Sequence, residues 1–341
     1  MASLKDISKV CGVSVATVSK ALNNQTDIGE ETRAYIKRVA KEMGYAPNLS
    51  ARALKTNRTH SIGVLLVDDA GNGLTHDHFA SVLDSFKKVV EKSGYDITFV
   101  NCCKERQDRM PYLEHCRYRG FDGVMLACID FNAPEIIELV QSDIPVITID
   151  HIFNECNVVI SDNVGGIRQL VEYIHGKGHR KIAYIHGADS VVTKNRLASF
   201  YRTAEKLELA VPDAYIKEGA YRDTTASYKA TNELLDLPEP PTCIIYPDDF
   251  AAFGGINAIS ERGLRIPEDV SVAGYDGIPA VQHMVPRLTT VKQDAEQIGR
   301  VAAEKLINLI EKPKTTLVEQ KIIPVTLLEG RSVSDLSEGA E

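Results

Sequence analysis

No run of eighteen apolar residues occurs anywhere in the 341-residue chain, so no segment of it reads as a membrane-spanning helix. Met1 to Val10 also lacks the apolar stretch of a secretory signal, carrying Lys5, Asp6 and Lys9 instead, and the expected location is the cytoplasm. The seven cysteines are odd in number and none is spaced C-x-x-C, which argues for idle thiols in a reducing compartment. His76-x-His78 and His115-Cys116 have no second ligand pair at a recognisable spacing, so no metal site is expected. Signatures of catalysis are missing too: there is no G-x-S-x-G elbow, no P-loop and no G-x-G-x-x-G opening a strand-to-helix turn. Tyr246-Pro-Asp-Asp249 is acidic but has no basic or metal-binding complement. No catalytic residue, cofactor or enzymatic activity is predicted.

What is present is enough apolar material, 44% of residues, for a large buried core. Charge is distributed unevenly. Residues 1 to 60 hold ten Lys/Arg against five Asp/Glu, a net +5, whereas the remainder holds 29 against 42, a net −13. A small basic module on an acidic body suits nucleic acid at the module alone.

That module has local signals for three helices. Ser3-Leu-Lys-Asp6 reads as a capping box, and Leu4, Ile7 and Val10-Cys11 repeat at helical spacing. Gly12 allows a turn, Ser14 offers a second N-cap, and Val15 to Leu22 continues as helix. Glu30 to Met43 reads as a third helix, stopped by Gly44. Two short helices joined by a glycine-bearing turn form a helix-turn-helix pattern.

The strings SLKDISKVCGVSVATVSKALNN and ETRAYIKRVAKEMGYAPNLSARAL closely resemble the DNA-binding headpiece of the lactose/galactose repressor (LacI) family. The resemblance implies that Val15, Ala16 and Lys20 reach base edges in the major groove and that Thr17, Ser19 and Asn23 contact phosphates. Lys20 stands where most relatives carry arginine, and lysine lacks the planar fork that grips guanine O6 and N7. Asn48 to Leu54 resembles the family's hinge helix, which implies that Leu54, with Ala51 beside it, enters the minor groove as an apolar wedge from each of two subunits.

From Ser61 onward, short β-branched runs alternate with longer amphipathic ones. Strands are expected at Ile62 to Val67, Ile97 to Val100, Gly123 to Cys128, Val146 to Asp150, Lys181 to His186, Cys243 to Tyr246 and Val270 to Tyr275. Such alternation predicts parallel, doubly wound sheets, in two lobes given the length, with a ligand beyond the strands' carboxyl ends. GHRKIAYIHG, RLASF, GLRIPEDVSVAGYD and LTTVKQD resemble the same family's periplasmic-binding-protein-like domain. Chain crossings between lobes are then expected near Ser161, Val291 and Pro324. The resemblance implies effector contacts from Asp150, Arg196, Asp248, Asp276 and Gln293, with Tyr221, Phe250 and Phe79 as aromatic surfaces.

The expected architecture is α + α/β, a helix-turn-helix headpiece (1–46) joined by a hinge helix and linker (47–60) to a two-lobed domain (61–330). One lobe takes 61–161 plus 292–324, the other 162–291 plus 325–330, and 331–341 is left as a polar tail without a leucine heptad for a tetramerising coiled coil. The expected function is sequence-specific transcription regulation, most simply repression of carbohydrate-utilisation genes. Its partners are a pseudo-palindromic double-stranded operator, a second copy of the chain and a small sugar-like effector, with no membrane. Three aspartates against one arginine favour a neutral polyol. Two variants stay open: a nucleobase effector, and a global carbon regulator that answers to a phosphorylated carrier protein. A transport binding protein would fit the large domain but not the headpiece.

Overall fold

The computed structural model describes residues 2–45, 58–67, 73–100 and 109–337. They divide into two compact units, Met1–Thr59 and His60–Glu341.

In the first unit, helices α1 (Leu4–Cys11), α2 (Val15–Leu22) and α3 (Glu30–Glu42) close around Ile7, Val18, Ala21, Ile36, Val39 and Ala40. Their ends follow from local chemistry. The Ser3–Asp6 capping box forms in both directions, Gly12 ends α1 in the left-handed region at φ 64°, and Ser14 Oγ accepts from Thr17 N. Ser8 Oγ donates to Val13 O at 2.8 Å and pins the turn between α1 and α2. Arg33 Nη2 donates to Gln25 O and Ile28 O, fastening the α2–α3 loop. Helix α3 stops at Glu42, one residue before the expected Met43.

The second unit contains two six-stranded sheets. The first lobe is built from β1 (Ser61–Leu66), α4 (Asp77–Lys92), β2 (Asp96–Phe99), α5 (Tyr112–Arg119), β3 (Gly123–Ala127), α6 (Pro134–Val140), β4 (Val146–Ile149) and β5 (Asn157–Ser161). The chain then enters the second lobe through α7 (Asn163–Gly176), β6 (Ile182–His186), α8 (Val191–Lys206), β7 (Ile216–Glu218), α9 (Thr224–Leu235), β8 (Cys243–Ile245), α10 (Asp249–Glu261), β9 (Ser271–Asp276) and β10 (Thr289–Gln293). It returns to the first lobe with α11 (Ala295–Glu311) and β11 (Gln320–Ile323), then ends on the second with β12 (Val325–Leu328). Strand order is β11-β5-β4-β3-β1-β2 in one sheet and β12-β10-β9-β8-β6-β7 in the other, parallel throughout except for β12 against β10.

Each sheet is covered on both faces by helices, as parallel sheets require. In the first lobe, Ile298, Ala302 and Leu306 of α11 and Val82, Phe86 and Val90 of α4 pack on Ile62, Val64 and Ile147. The two helices approach so closely that a Cβ at Gly299 would lie 2.1 Å from Val82 O.

Three features correct the sequence reading. Strand β10 belongs to the second sheet up to Gln293, which moves the middle crossing three residues on, from Val291 to Asp294. The segment read as a polar tail is partly core, because Ser332 and Val333 are buried and Ser332 Oγ donates to Val272 O at 2.6 Å. Finally, five strands lie outside the expected set: β7 has three residues, β11 and β12 are sheet edges, β10 is rich in threonine, and β5 (NVVIS) is a short β-branched run directly before the first crossing.

Candidate functional site

On α2 the helical period separates packing from presentation. Val18 and Ala21 are buried, while Val15, Ala16 and Asn23 are exposed and Thr17, Ser19 and Lys20 half-buried. The apolar Val15 is 42% exposed, outside the packed core of the headpiece. Lys20 Nζ is ion-paired to Asp27 Oδ2, and Asn23 Nδ2 donates to Ser19 O. The Lys20–Asp27 pair is open to solvent on both sides, so exchanging it for another partner is cheap. Ala51 and Leu54 lie outside the described residues.

The large unit carries a cleft of about 690 Å³ between its sheets, lined by the carboxyl ends of strands from both. The first lobe supplies Val67 after β1, Cys128 to Asn132 after β3, and Ile149 to His151 at the end of β4, together with His76, His78 and Phe79 at the start of α4. The second supplies Ala188 to Val192, Lys194 and Arg196 around the start of α8, Ala220 and Tyr221 after β7, and Asp276 and Gln293 at the ends of β9 and β10. Six of the eight expected effector residues are therefore brought together: Phe79, Asp150, Arg196, Tyr221, Asp276 and Gln293.

Arg196 is the buried cation of this site, only 3% exposed. Its Nε donates to Asn163 Oδ1 at 2.8 Å and Nη1 to Pro247 O at 3.0 Å, while the guanidinium lies over the Tyr275 ring, 3.6 Å from the centroid. Hydrogen bonding and the ring face compensate a buried charge that would otherwise be costly. Two carboxylates share its surroundings. Burial raises Asp150 to about 6, against a hydrogen bond from Ser161 N and the attraction of Arg196. Burial also raises Asp276, opposed by Arg196 and by Gln293 Nε2, which donates to Asp276 Oδ1 at 2.6 Å. Both aspartates adopt positive φ, 57° and 107°, as the chain leaves its strand at the cleft edge.

The walls are aromatic. The Tyr221 hydroxyl meets Thr193 Oγ1 at 2.8 Å, and its ring lies so close to Gly187 that a Cβ there would sit 2.3 Å away. On the first lobe, Phe131 and His151 stack with centroids 4.2 Å apart. His78 is buried, and burial, with Arg196 nearby, lowers it to about 4, which keeps it neutral. Its Nε2 and the Oε1 of Gln293 are buried without a hydrogen-bond partner.

Asp248 and Phe250 do not join the cleft lining. Both carboxylate oxygens of Asp248 are spent on the backbone: Oδ1 accepts from Ala251 N as the cap of α10, and Oδ2 from Arg222 N, each at 2.7 Å. Phe250 instead lies under the Arg222 guanidinium. Conversely, Phe131, His151, His76 and His78 line the cleft and were not named as effector residues. These three histidines and one phenylalanine carried no effector motif, and only their positions after β3, after β4 and at the start of α4 mark them.

Residues 3–48 match the family model described as bacterial regulatory proteins, lacI family, and residues 171–333 match that of a periplasmic binding protein-like domain. The chain is 31% identical over 319 residues to the probable HTH-type transcriptional repressor ExuR of Bacillus subtilis (strain 168), covering 92% of this chain and 93% of that protein. The chain belongs to the LacI family. Among solved structures, the Lac repressor dimer bound to operator and the anti-inducer ONPF superposes with a TM-score of 0.82 at 24% identity, over 98% of this chain and 99% of that one. A LacI family transcriptional regulator from Enterococcus faecium with bound ribose matches at 25% identity and TM-score 0.69, over 81% of this chain and 100% of that one. Membership makes this chain a DNA-binding transcription regulator with a small-molecule effector domain. None of the helices in the described residues is long and apolar enough to cross a membrane.

Proposed function

We propose that the protein is a cytoplasmic homodimeric repressor of carbohydrate-utilisation genes, without catalytic activity, whose grip on a pseudo-palindromic operator is set by a small neutral polyol in the cleft. The observation that carries this reading is the cleft's chemistry. A space of about 690 Å³ lies in the size range of sites for small organic ligands. Phe79 and Tyr221 offer ring faces to the apolar side of a pyranose, and Asp150 and Asp276 accept from adjacent hydroxyls. The unpartnered Oε1 of Gln293 accepts one more, and His78 Nε2 takes a hydroxyl in either role. Carboxylates outnumber cations here, since Lys194 is paired with Asp189, which disfavours a phosphorylated or acidic ligand. The ribose bound to the Enterococcus regulator is in keeping with a sugar.

At the headpiece, Val15, Ala16 and Lys20 read base edges, Lys20 exchanging Asp27 for the duplex, while Thr17, Ser19 and Asn23 hold phosphates. Ala51 and Leu54 take the minor-groove position at the operator centre. The test is calorimetric titration of mono- and disaccharides into the full-length protein, repeated with Asp276→Asn. A sugar that binds the wild type and at least tenfold more weakly the variant supports the reading. Binding of a nucleobase and of no sugar would overturn it.

A further inference from the structure

Asp248 and Phe250, expected in the cleft and absent from it, have a common neighbour in Arg222. This residue follows β7 of the second lobe, with its backbone in the left-handed region at φ 58°. Its N–H donates to Asp248 Oδ2 at 2.7 Å, and its guanidinium carbon lies 4.2 Å from the Phe250 ring centroid. From that seat Nη1 donates to Asp77 Oδ2 at 2.7 Å and Nη2 to Thr75 O at 3.1 Å. Asp77 opens α4, the helix whose Val82, Phe86 and Val90 pack in the first-lobe core, so both bonds cross from one lobe to the other. The Arg222 side chain is 7% exposed. A cation desolvated to that degree, on a backbone conformation unfavourable to any residue with a Cβ, is held by what it touches: a buried carboxylate fixes its main chain, a ring its flat face, and the opposite lobe its donors.

We propose that Arg222 is an inter-lobe clasp, a positioning residue that sets how much of the time the effector cleft is closed. The inference rests on the cleft being the effector site. Thr75 and Asp77 bracket His76, and His78 and Phe79 follow at once, so a lobe motion that parts Arg222 from Asp77 carries those three cleft residues away from Tyr221 and Asp276. Arg222 itself is not among the cleft-lining residues. It acts through the population of the closed form: apparent effector affinity scales with the closed fraction, and breaking the clasp lowers that fraction without removing a ligand contact.

The clasp is tested without any effector, by amide hydrogen exchange on the full-length protein. Asp77 is half exposed, so Asp77→Asn leaves packing intact, and Arg222→Gln keeps much of the stem over Phe250. Each is expected to speed exchange about tenfold in the cleft-lining segments 128–132 and 188–194 while leaving α1 to α3 unchanged. Arg222→Asp combined with Asp77→Arg, which restores opposite charges, recovers most of the protection. Unchanged exchange in both single variants, or a reversed pair no better protected than either of them, would overturn the clasp. Because no sugar enters the experiment, it can fail while the sugar reading stands, and the reverse.

Discussion

The headpiece and the cleft meet the same demand, specific recognition, with opposite arrangements of burial. The exposed face of α2 lies within the nine residues Val15 to Asn23, its polar groups are half-buried or open to water, and Lys20 is paired with an exchangeable surface carboxylate. The cleft draws Phe79, Asp150, Arg196 and Gln293 from positions more than two hundred residues apart and buries the charge of Arg196 almost completely. The difference follows from the partner. A duplex brings its own dense charge and is met on a surface, where long-range attraction supplies affinity and exposed side chains are left free to meet base edges. A small ligand is recognised through local contacts, and those gain discrimination when the protein groups are desolvated and pre-oriented.

This contrast can be broken at either end. The largest effect is expected from Ile36→Ala, which opens a cavity in the small headpiece core and costs about 2–5 kcal/mol; thermal unfolding would show the headpiece melting early while effector affinity stays at the wild-type value. Next, Arg196→Ala should weaken effector binding about a hundredfold by calorimetry and leave operator binding by the apo protein intact. Third is pH. A hydroxyl donating to Asp150 binds the ionised carboxylate, so affinity is complete above pH about 6 and falls up to about tenfold per unit below it. Stability of the free domain runs the other way in that window, because a carboxyl raised by burial favours the folded state when protonated and loses that contribution as pH rises through about 6. The smallest is Ser14→Ala, which removes the N-cap of α2 for about 1 kcal/mol and is measured as a lower headpiece midpoint in urea.

The same contrast explains what was legible in the sequence. Helix caps and the 3.6-residue period act over four residues, so Ser3, Gly12, Ser14 and the buried Ile7 declared themselves. The two-lobed alternation was equally plain, because buried parallel strands are apolar runs. Cleft-lining residues were anticipated where a family motif marked them, as with Arg196 on α8 and Asp276 and Gln293 at strand ends. His78, Phe131 and His151 had no motif and became visible only when the sheets placed their loops side by side. Asp248 misled for a physical reason: a strand-end carboxylate before a helix has a backbone N–H waiting for it, and here a second one from Arg222 takes the other oxygen. The crossing at Asp294 was misplaced because β10, with Thr289, Thr290 and Lys292, reads as more polar than a central strand.

The central claim, that a polar cleft governs a separate DNA-binding headpiece, is tested most directly by fluorescence anisotropy of full-length protein on an operator duplex selected from a random pool. The titration is run with and without the sugar that binds best, in wild type and in Arg196→Ala. The account predicts that the sugar changes wild-type operator affinity at least tenfold and leaves the variant, which still binds the duplex, unmoved. An equal change in both proteins would contradict it, as would a sugar that fills the cleft and alters neither.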